Sequence, residues 1–314
     1  LPQYKELSPR YIIQEQIGEG AFSKVFKAFD IELNKHVAIK IIEKQAMNKS
    51  QIDSVLKEVS IMKRLNHPNI VTILNFINND SKSFIILELL NGGEIFNKIV
   101  ELTYFSELLS KHVIIQIVQA IKYLHQEVGV VHRDIKPENL LFDKIPYKPS
   151  TTPPQLRKSD ESNKKDEGEF ITNIGSGEIG VVKLADFGLS KILWDQATTK
   201  TPCGTASYTA PEIIKDEAYS KAVDMWGVGC VLYTLLCGFP PFYDNNPEEL
   251  TKKVARGDYC FLSPWWDEIS KEAKDLVSHL LTVDPKKRYT PDDVLNHPWI
   301  TGVEKLITPA IDAP

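Results

Sequence analysis

Asp134, Asn139 and Asp186, together with Lys40 far upstream, are residues of the types that move a phosphoryl group. Asp134 stands in the run His132-Arg133-Asp134-Ile135-Lys136-Pro137-Glu138-Asn139, and Asp186 opens Asp186-Phe187-Gly188. A carboxylate such as Asp134 can orient and deprotonate an attacking hydroxyl. Lys136 can neutralise charge on the group in transit. The Asn139 amide oxygen and the Asp186 carboxylate are hard ligands, few in number, which suits Mg²⁺. Upstream, the glycines of Gly18-Glu19-Gly20 would let the backbone come close to phosphates. Lys40 lies between Val37-Ala38-Ile39 and Ile41-Ile42, so its ammonium needs an anionic partner, and Glu58 is the candidate. Alone, each string is weak: a lone Gly-x-Gly is usually a hairpin turn, and a Lys–Glu pair is usually a surface contact. In this order, and followed by Ala210-Pro211-Glu212, they are the parts of a phosphoryl-transfer site.

The elements that must position them can be read in outline. Residues 11–18 and 23–30 are rich in β-branched and aromatic side chains, and 36–42 is a third such run. Helical spacing over 51–65 puts Val55, Val59, Met62 and Leu65 on one stripe, with Glu58 facing the same way as Met62. Residues 71–77 and 83–89 read as two further strands, and Asn91-Gly92-Gly93 punctuates the chain. Beyond residue 94 helices dominate, over 111–126 (Ile114, Ile117, Val118, Ile121 and Leu124 on one face), 221–237, 247–256 and 270–282. The expected fold is α+β. A small lobe with an antiparallel sheet and one helix joins a larger, mainly helical lobe near residues 88–93. The glycine loop runs from strand to strand, whereas a dinucleotide fold needs strand into helix, so a nicotinamide dehydrogenase is excluded. Residues 144–178 break the pattern with prolines, serines, lysines and acids. They read as a solvated, flexible insertion, with a docking or phosphorylation loop as the alternative.

Bulk properties narrow the classes. With 314 residues, 42% apolar and 25% charged, the chain can bury a sizeable core, as one large domain or two lobes. A net charge of −5 does not favour nucleic acid and is compatible with a basic peptide partner. The 4 cysteines, Cys203, Cys230, Cys237 and Cys260, form no C-x-x-C pair and read as free thiols in a reducing compartment, the cytoplasm and also the nucleus. The 7 histidines form no H-E-x-x-H cluster. No apolar run reaches the roughly 18 residues of a membrane span, and the most apolar stretch, 225–237, reads as a buried helix. No signal peptide opens the sequence, which starts at Leu1 and reads as a fragment of something longer.

Taken together, these motifs resemble the eukaryotic protein kinases over residues 11–300, with 1–10 an N-terminal extension, 11–90 and 91–300 the two lobes, and 301–314 a tail. Within that family the chain is similar to the calmodulin-dependent-kinase group of Ser/Thr kinases. Lys136 after Asp134, the stretch from Thr201 to Glu212, Gly238-Phe239-Pro240-Pro241-Phe242 and Asn296-His297-Pro298-Trp299 carry that likeness. The insertion and Pro264-Trp265-Trp266 further resemble fungal stress-responsive kinases acting downstream of a MAP kinase. A third family glycine is replaced by Ser23. The resemblance implies a bilobal kinase fold using ATP and Mg²⁺. It puts adenine among Ile17, Val25, Ala38, Leu87, Leu141 and Ala185, with backbone groups of Glu88 and Leu90 at its edge. The phosphates would lie under Gly18, Glu19, Gly20, Ala21 and Ser23, beside Lys40, and Glu94 belongs to the rim of the same site. A packed spine would include Met62, Ile73, His132 and Phe187, Asp224 would brace the loop of Asp134, and Glu212 would pair with Arg288.

By the same resemblance Glu94 and Glu138 would face basic substrate residues, with an arginine three positions before the target hydroxyl on Glu94. Thr234 stands where strongly dibasic-selective relatives carry an acid, so Arg-x-x-Ser/Thr is expected without a strong demand for a second arginine. Thr201, followed by Pro202, is the expected phosphorylation site. Its phosphate, of about −1.5 to −2 charges, would be met by Arg133 and Lys191, and the Thr-Pro step suits an upstream MAP kinase. Thr205 would bond Asp134 and Lys136, and Thr290-Pro291 reads as a helix start. The residues after Ile300 are too few for an autoinhibitory tail, so calmodulin would engage a region outside this sequence. The function expected is an ATP- and Mg²⁺-dependent Ser/Thr protein kinase in stress or calcium signalling. The alternative is a pseudokinase scaffold, which the presence of Lys40, Asp134, Asn139 and Asp186 disfavours.

Overall fold

The computed structural model describes residues 4–20, 22–152, 156–162, 164–188, 191–192, 206–218, 220–303 and 310–314. They form two compact units, Leu1–Asn91 and Gly92–Pro314.

The first unit is built on a five-stranded antiparallel sheet of order β1-β2-β3-β5-β4. Its strands are β1 (Tyr11–Gly20), β2 (Ser23–Asp30), β3 (Lys35–Glu43), β4 (Ile73–Asn78) and β5 (Lys82–Glu88), close to the runs expected from sequence. Alternation along β3 decides what each face carries. Val37, Ile39 and Ile41 enter one cluster with Phe26, Ala28, Phe84 and Ile86. Ile42 enters another with Val59 and Ile85, so Lys40, in step with Ile42, points to the side covered by α1 (Lys49–Met62). Asn48 starts that helix through a capping box with Gln51. The described residues of the N-terminal extension, 4–10, pack on this sheet. Leu7 is buried in the first cluster, and the Tyr4 ring meets Phe26 and Phe84 edge-on at 6.2 and 5.9 Å. Arg10 grips the buried Asp30 with two nitrogens, at 2.7 and 2.8 Å.

The second unit is mainly helical: α2 (Ile95–Leu102), α3 (Glu107–Tyr123), α4 (Pro211–Ile214), α5 (Ala222–Cys237), α6 (Pro247–Arg256), α7 (Lys271–Leu280), α8 (Pro291–Leu295) and α9 (Pro298–Thr301). Every residue of α5 from Val223 to Cys237 is buried, which accounts for its unbroken apolar run. Gly227 is needed there, because a Cβ would lie 2.7 Å from the Ile135 Cβ. Thr290 caps α8 through a capping box with Asp293, and Pro291 takes the first turn, as expected.

Two small sheets were not legible in the sequence. β6 (Gly93–Glu94), β8 (Leu140–Lys144) and β9 (Ile179–Leu184) form one antiparallel sheet, and β7 (Val130–Val131) pairs with β10 (Lys191–Ile192). The expectation that 144–178 is a solvated run is also corrected. Its described residues lie against α2, α3 and the end of α5. Arg157 donates to the Leu236 carbonyl at 2.6 Å, and Tyr104 donates to Asp160 at 2.6 Å. Glu167 accepts from the Ser106 amide and hydroxyl, both at 2.7 Å. Apolar periodicity cannot reveal such docking, because charged and polar groups make it.

Candidate active site

In the first unit, strand pairing sets the residues of the expected phosphate loop. Gly18 lies opposite Val25, Glu19 opposite Lys24 and Gly20 opposite Ser23, so the turn between β1 and β2 is tight. A Cβ on Gly20 would sit 3.0 Å from the Ser23 hydroxyl, so glycine keeps this turn narrow. Ala21 falls outside the described residues. Ile17 is exposed, Val25 half-buried and Ala38 buried. Lys40 lies opposite Val25 on one side and Ile85 on the other, and Ala38 lies opposite Leu87. The Lys40 ammonium reaches Glu58 at 3.3 Å, with the Glu58 side chain only 7% exposed. A carboxylate buried this far is stable as an anion only beside a cation, so the pair is an internal one and not a surface bridge. Glu88 donates its backbone N–H to the Thr72 carbonyl at 3.0 Å, and its carboxylate accepts from the Thr72 amide at 2.7 Å. Leu90 and Met62 are buried and Ile73 half-buried.

In the second unit the pairing of β8 with β9 brings two distant stretches together. Leu140 lies opposite Leu184, so Asn139, just before β8, meets the residues just after β9. Ala185 donates its N–H to the Asn139 carbonyl at 2.9 Å, and the His132 ring bonds the Ala185 carbonyl at 3.0 Å. Asp186 follows, exposed and with φ +59°, and its Oδ1 accepts from the Gly188 amide at 3.1 Å. Phe187 is buried edge-on against His132, with ring centroids 4.9 Å apart. Leu141 and Ala185 are half-buried.

Asp134 is held through its side chain. Lys136 approaches Asp134 Oδ2 at 2.8 Å, and the Asn139 amide donates to that oxygen and to the Asp134 carbonyl, both at 2.8 Å. With Asn139 Nδ2 so committed, its Oδ1 is the atom left to act as an oxygen ligand. Asp224, 1% exposed, accepts from the His132 and Arg133 amides at 2.9 and 2.7 Å and from the His125 ring at 2.8 Å. Burial works to raise its pKa, but the bond from His125, the two histidine rings and the Arg133 amide bring it below the usual carboxylate range. Glu212 and Arg288 form the expected pair, buried and bidentate at 2.7 and 3.0 Å. His125 as a third partner of Asp224 escaped the sequence reading. It lies on the outgoing turn of α3, and no local motif marks it.

Glu94 and Glu138 are brought close to one another. Glu94 is held above its ordinary pKa, first by burial and then by the Glu138 charge. One buried Glu138 carboxylate oxygen has no hydrogen-bond partner among the described residues. Thr234 is buried and donates to the Cys230 carbonyl at 2.7 Å. Thr201 and Thr205, and the Lys191 side chain, lie outside the described residues. Among those described, no group of three or more His, Cys, Asp or Glu could hold a metal ion by itself, and no helix is long and apolar enough to cross a membrane.

The sequence matches the family model of the protein kinase domain over residues 11–300. It is 55% identical to the serine/threonine-protein kinase srk1 of Schizosaccharomyces pombe, over 100% of this chain and 55% of that protein. It is 52% identical to the serine/threonine-protein kinase RCK2 of Saccharomyces cerevisiae, over 94% of this chain and 53% of that protein. A calcium/calmodulin-dependent protein kinase type 1 of Macrobrachium nipponense is 41% identical, over 93% of this chain and 75% of its own length. The chain thus spans about half the length of the two fungal relatives. With the lysine–glutamate pair, the braced aspartate and the asparagine–aspartate juxtaposition all in place, the chain belongs to the protein kinase family, in its calmodulin-dependent-kinase group of Ser/Thr enzymes.

Proposed function

We propose that this chain transfers the γ-phosphate of ATP to serine or threonine in proteins that carry an arginine three residues before the target. The observation that carries the reading is the locked carboxylate of Asp134. Lys136 and Asn139 fix one of its oxygens, so the group is oriented before substrate arrives. Asp134 then accepts the hydroxyl proton as the oxygen attacks phosphorus, and Lys136 offsets charge on the moving group. Mg²⁺ fits the donor set, because the Asn139 Oδ1 and the exposed Asp186 carboxylate are two hard oxygens, and phosphates and waters complete such a shell. When bound, the metal neutralises phosphate charge. Lys40, kept in place by Glu58, would hold the α- and β-phosphates. Adenine would lie on Ile17, Val25, Ala38, Leu87, Leu141 and Ala185, with the backbone of Glu88 and Leu90 at its edge.

Glu94 and Glu138 support the basic-residue preference. Glu94, whose ionisation is opposed by burial and by the Glu138 charge, and Glu138, with an unpartnered buried oxygen, make a site that gains from a guanidinium. Thr234 offers no charge for a second arginine. The calcium/calmodulin-dependent kinases among the relatives support a place in calcium signalling; stress signalling as the alternative, a MAP kinase acting at Thr201-Pro202, and work in the cytoplasm and nucleus complete the proposal.

The test is radiolabelled phosphate transfer to an Arg-x-x-Ser peptide. Asp134→Ala should lower kcat by roughly 10²–10⁴-fold, the range of general-base catalysis. Undiminished transfer by that variant would refute the assignment, and no transfer by the unaltered chain, phosphorylated at Thr201 or not, would favour a scaffold.

A further inference from the structure

Among the described residues of 144–178, Glu178 and its neighbours hold α2, and that helix carries Glu94. Glu94 is the N-cap residue of α2, and β6 ties it to Leu141 of β8. The middle and the far end of α2 are held from the insertion. Lys98, buried on α2, meets Glu178 at 2.6 Å and Glu101 at 2.9 Å. Glu178 also meets Lys144 at 2.7 Å, so it links α2 to the end of β8 just before β9 begins. Gly177 beside it, at φ +58°, packs so closely that a Cβ would lie 3.1 Å from Leu102 Cδ1 and 3.2 Å from Leu109 Cδ2. Past α2, the Tyr104 ring has the Arg157 guanidinium 3.7 Å and the Lys164 ammonium 3.2 Å from its centroid. A buried ammonium keeps its place only while paired, and of the two carboxylates on Lys98 only Glu178 lies outside α2, so that contact is what anchors the helix to the insertion.

We propose that the Glu178–Lys98 pair is a positioning device for Glu94: the insertion fixes α2 one turn beyond Glu94 and thereby sets how well the chain discriminates an arginine at the third position before the target. This rests on the reading of Glu94 and Glu138 as the arginine site. Charge-assisted hydrogen bonds weaken steeply with geometry, so a small shift of α2 is felt in arginine recognition before it is felt at Asp134.

The experiment compares two peptides, Arg-x-x-Ser and Ala-x-x-Ser, on the unaltered chain, on Glu178→Gln and on Lys98→Met, each checked for folding by its thermal midpoint. In both variants the ratio of kcat/KM values should fall by about five- to tenfold, part of the full value of a charge-assisted bond. The fall should come through KM of the arginine peptide, with kcat on the alanine peptide unchanged. An unaltered ratio in both variants overturns the inference, as does an equal loss of kcat on both peptides, which a merely structural role would give. If the unaltered chain does not prefer the arginine peptide, the arginine-site reading itself fails, and the inference with it.

Discussion

Removing one partner of the Glu212–Arg288 pair should destabilise the second unit more than any exposed ion-pair change. Arg288 is 4% exposed and Glu212 2%, and two parallel bonds of 2.7 and 3.0 Å join them. Glu212→Ala would strand a buried guanidinium, which costs about 3–5 kcal/mol. The lower part of that range is expected, since Arg288 keeps the carbonyls of Thr282, Ala222 and Val283 at 3.0, 2.9 and 3.1 Å. For a unit of this size each kcal/mol moves Tm by about 2–4 °C, so Tm should fall by roughly 6–15 °C. Arg288→Met should cost a similar amount, because it strands Glu212 and leaves those three carbonyls without their donor. The double variant should be clearly less damaging than the two single losses added together, since neither charge is then left alone. Scanning calorimetry on all four proteins reads this directly. Single-variant shifts under about 2 °C, or a double variant whose loss is simply additive, would refute the picture of a dry, mutually dependent pair.

Glu94→Gln should remove most of the preference for the arginine peptide and yet raise Tm at pH 7.5. A carboxyl whose folded pKa lies above its unfolded value binds its proton more tightly in the folded state, so its ionised form opposes folding at neutral pH. For the same reason KM of the arginine peptide should climb as pH falls toward that raised pKa, while KM of the alanine peptide stays level; parallel pH profiles for the two peptides would exclude Glu94 as the acceptor. Leu7→Ala should destabilise the first unit by about 2 kcal/mol in urea unfolding, because Leu7 is buried among Tyr11, Phe26 and Phe84, and a loss under about 0.5 kcal/mol would place residues 4–10 outside the core.

What the sequence disclosed and what it withheld divide along a physical line. β1 to β5 were legible because period-two alternation and β-branched residues are local signals, and α5 was legible because burial all round leaves an unbroken apolar run. Lys40 and Glu58 could be matched because apolar neighbours on both sides of the lysine forced a partner to exist. The pairing of β6 with β8 was illegible, since two residues are too few to carry a pattern. The docking of 144–178 was hidden for a different reason. Tyr104, Arg157, Asp160 and Glu167 are individually the residues of a solvated loop, and only their meeting with the ends of α2, α3 and α5 makes them structural. Residues 4–10 were hidden by shortness, since Tyr4 and Leu7 alone show no period.

The precision of Asp134 comes from a helix and not from the loop that bears it. Arg133 sits at φ +73°, a conformation that costs a non-glycine residue on the order of 1 kcal/mol and must be over-determined by its surroundings. Asp224 supplies that constraint from the first turn of α5, where the helix dipole also favours its charge. Its two oxygens take the amides of His132 and Arg133, charge-assisted bonds that together exceed the local strain. One turn further on, the missing side chain of Gly227 lets Ile135 lie directly on the same helix. The backbone on both sides of Asp134 is therefore fastened to α5, a helix buried at every residue from Val223 to Cys237, while Lys136 and Asn139 fasten its carboxylate. Asn139 in turn is tied through its carbonyl to Ala185, which precedes Asp186. The proposed proton acceptor and the two proposed oxygen ligands, drawn from separate stretches of chain, thus share one support, the condition under which a site holds its geometry without help from the substrate.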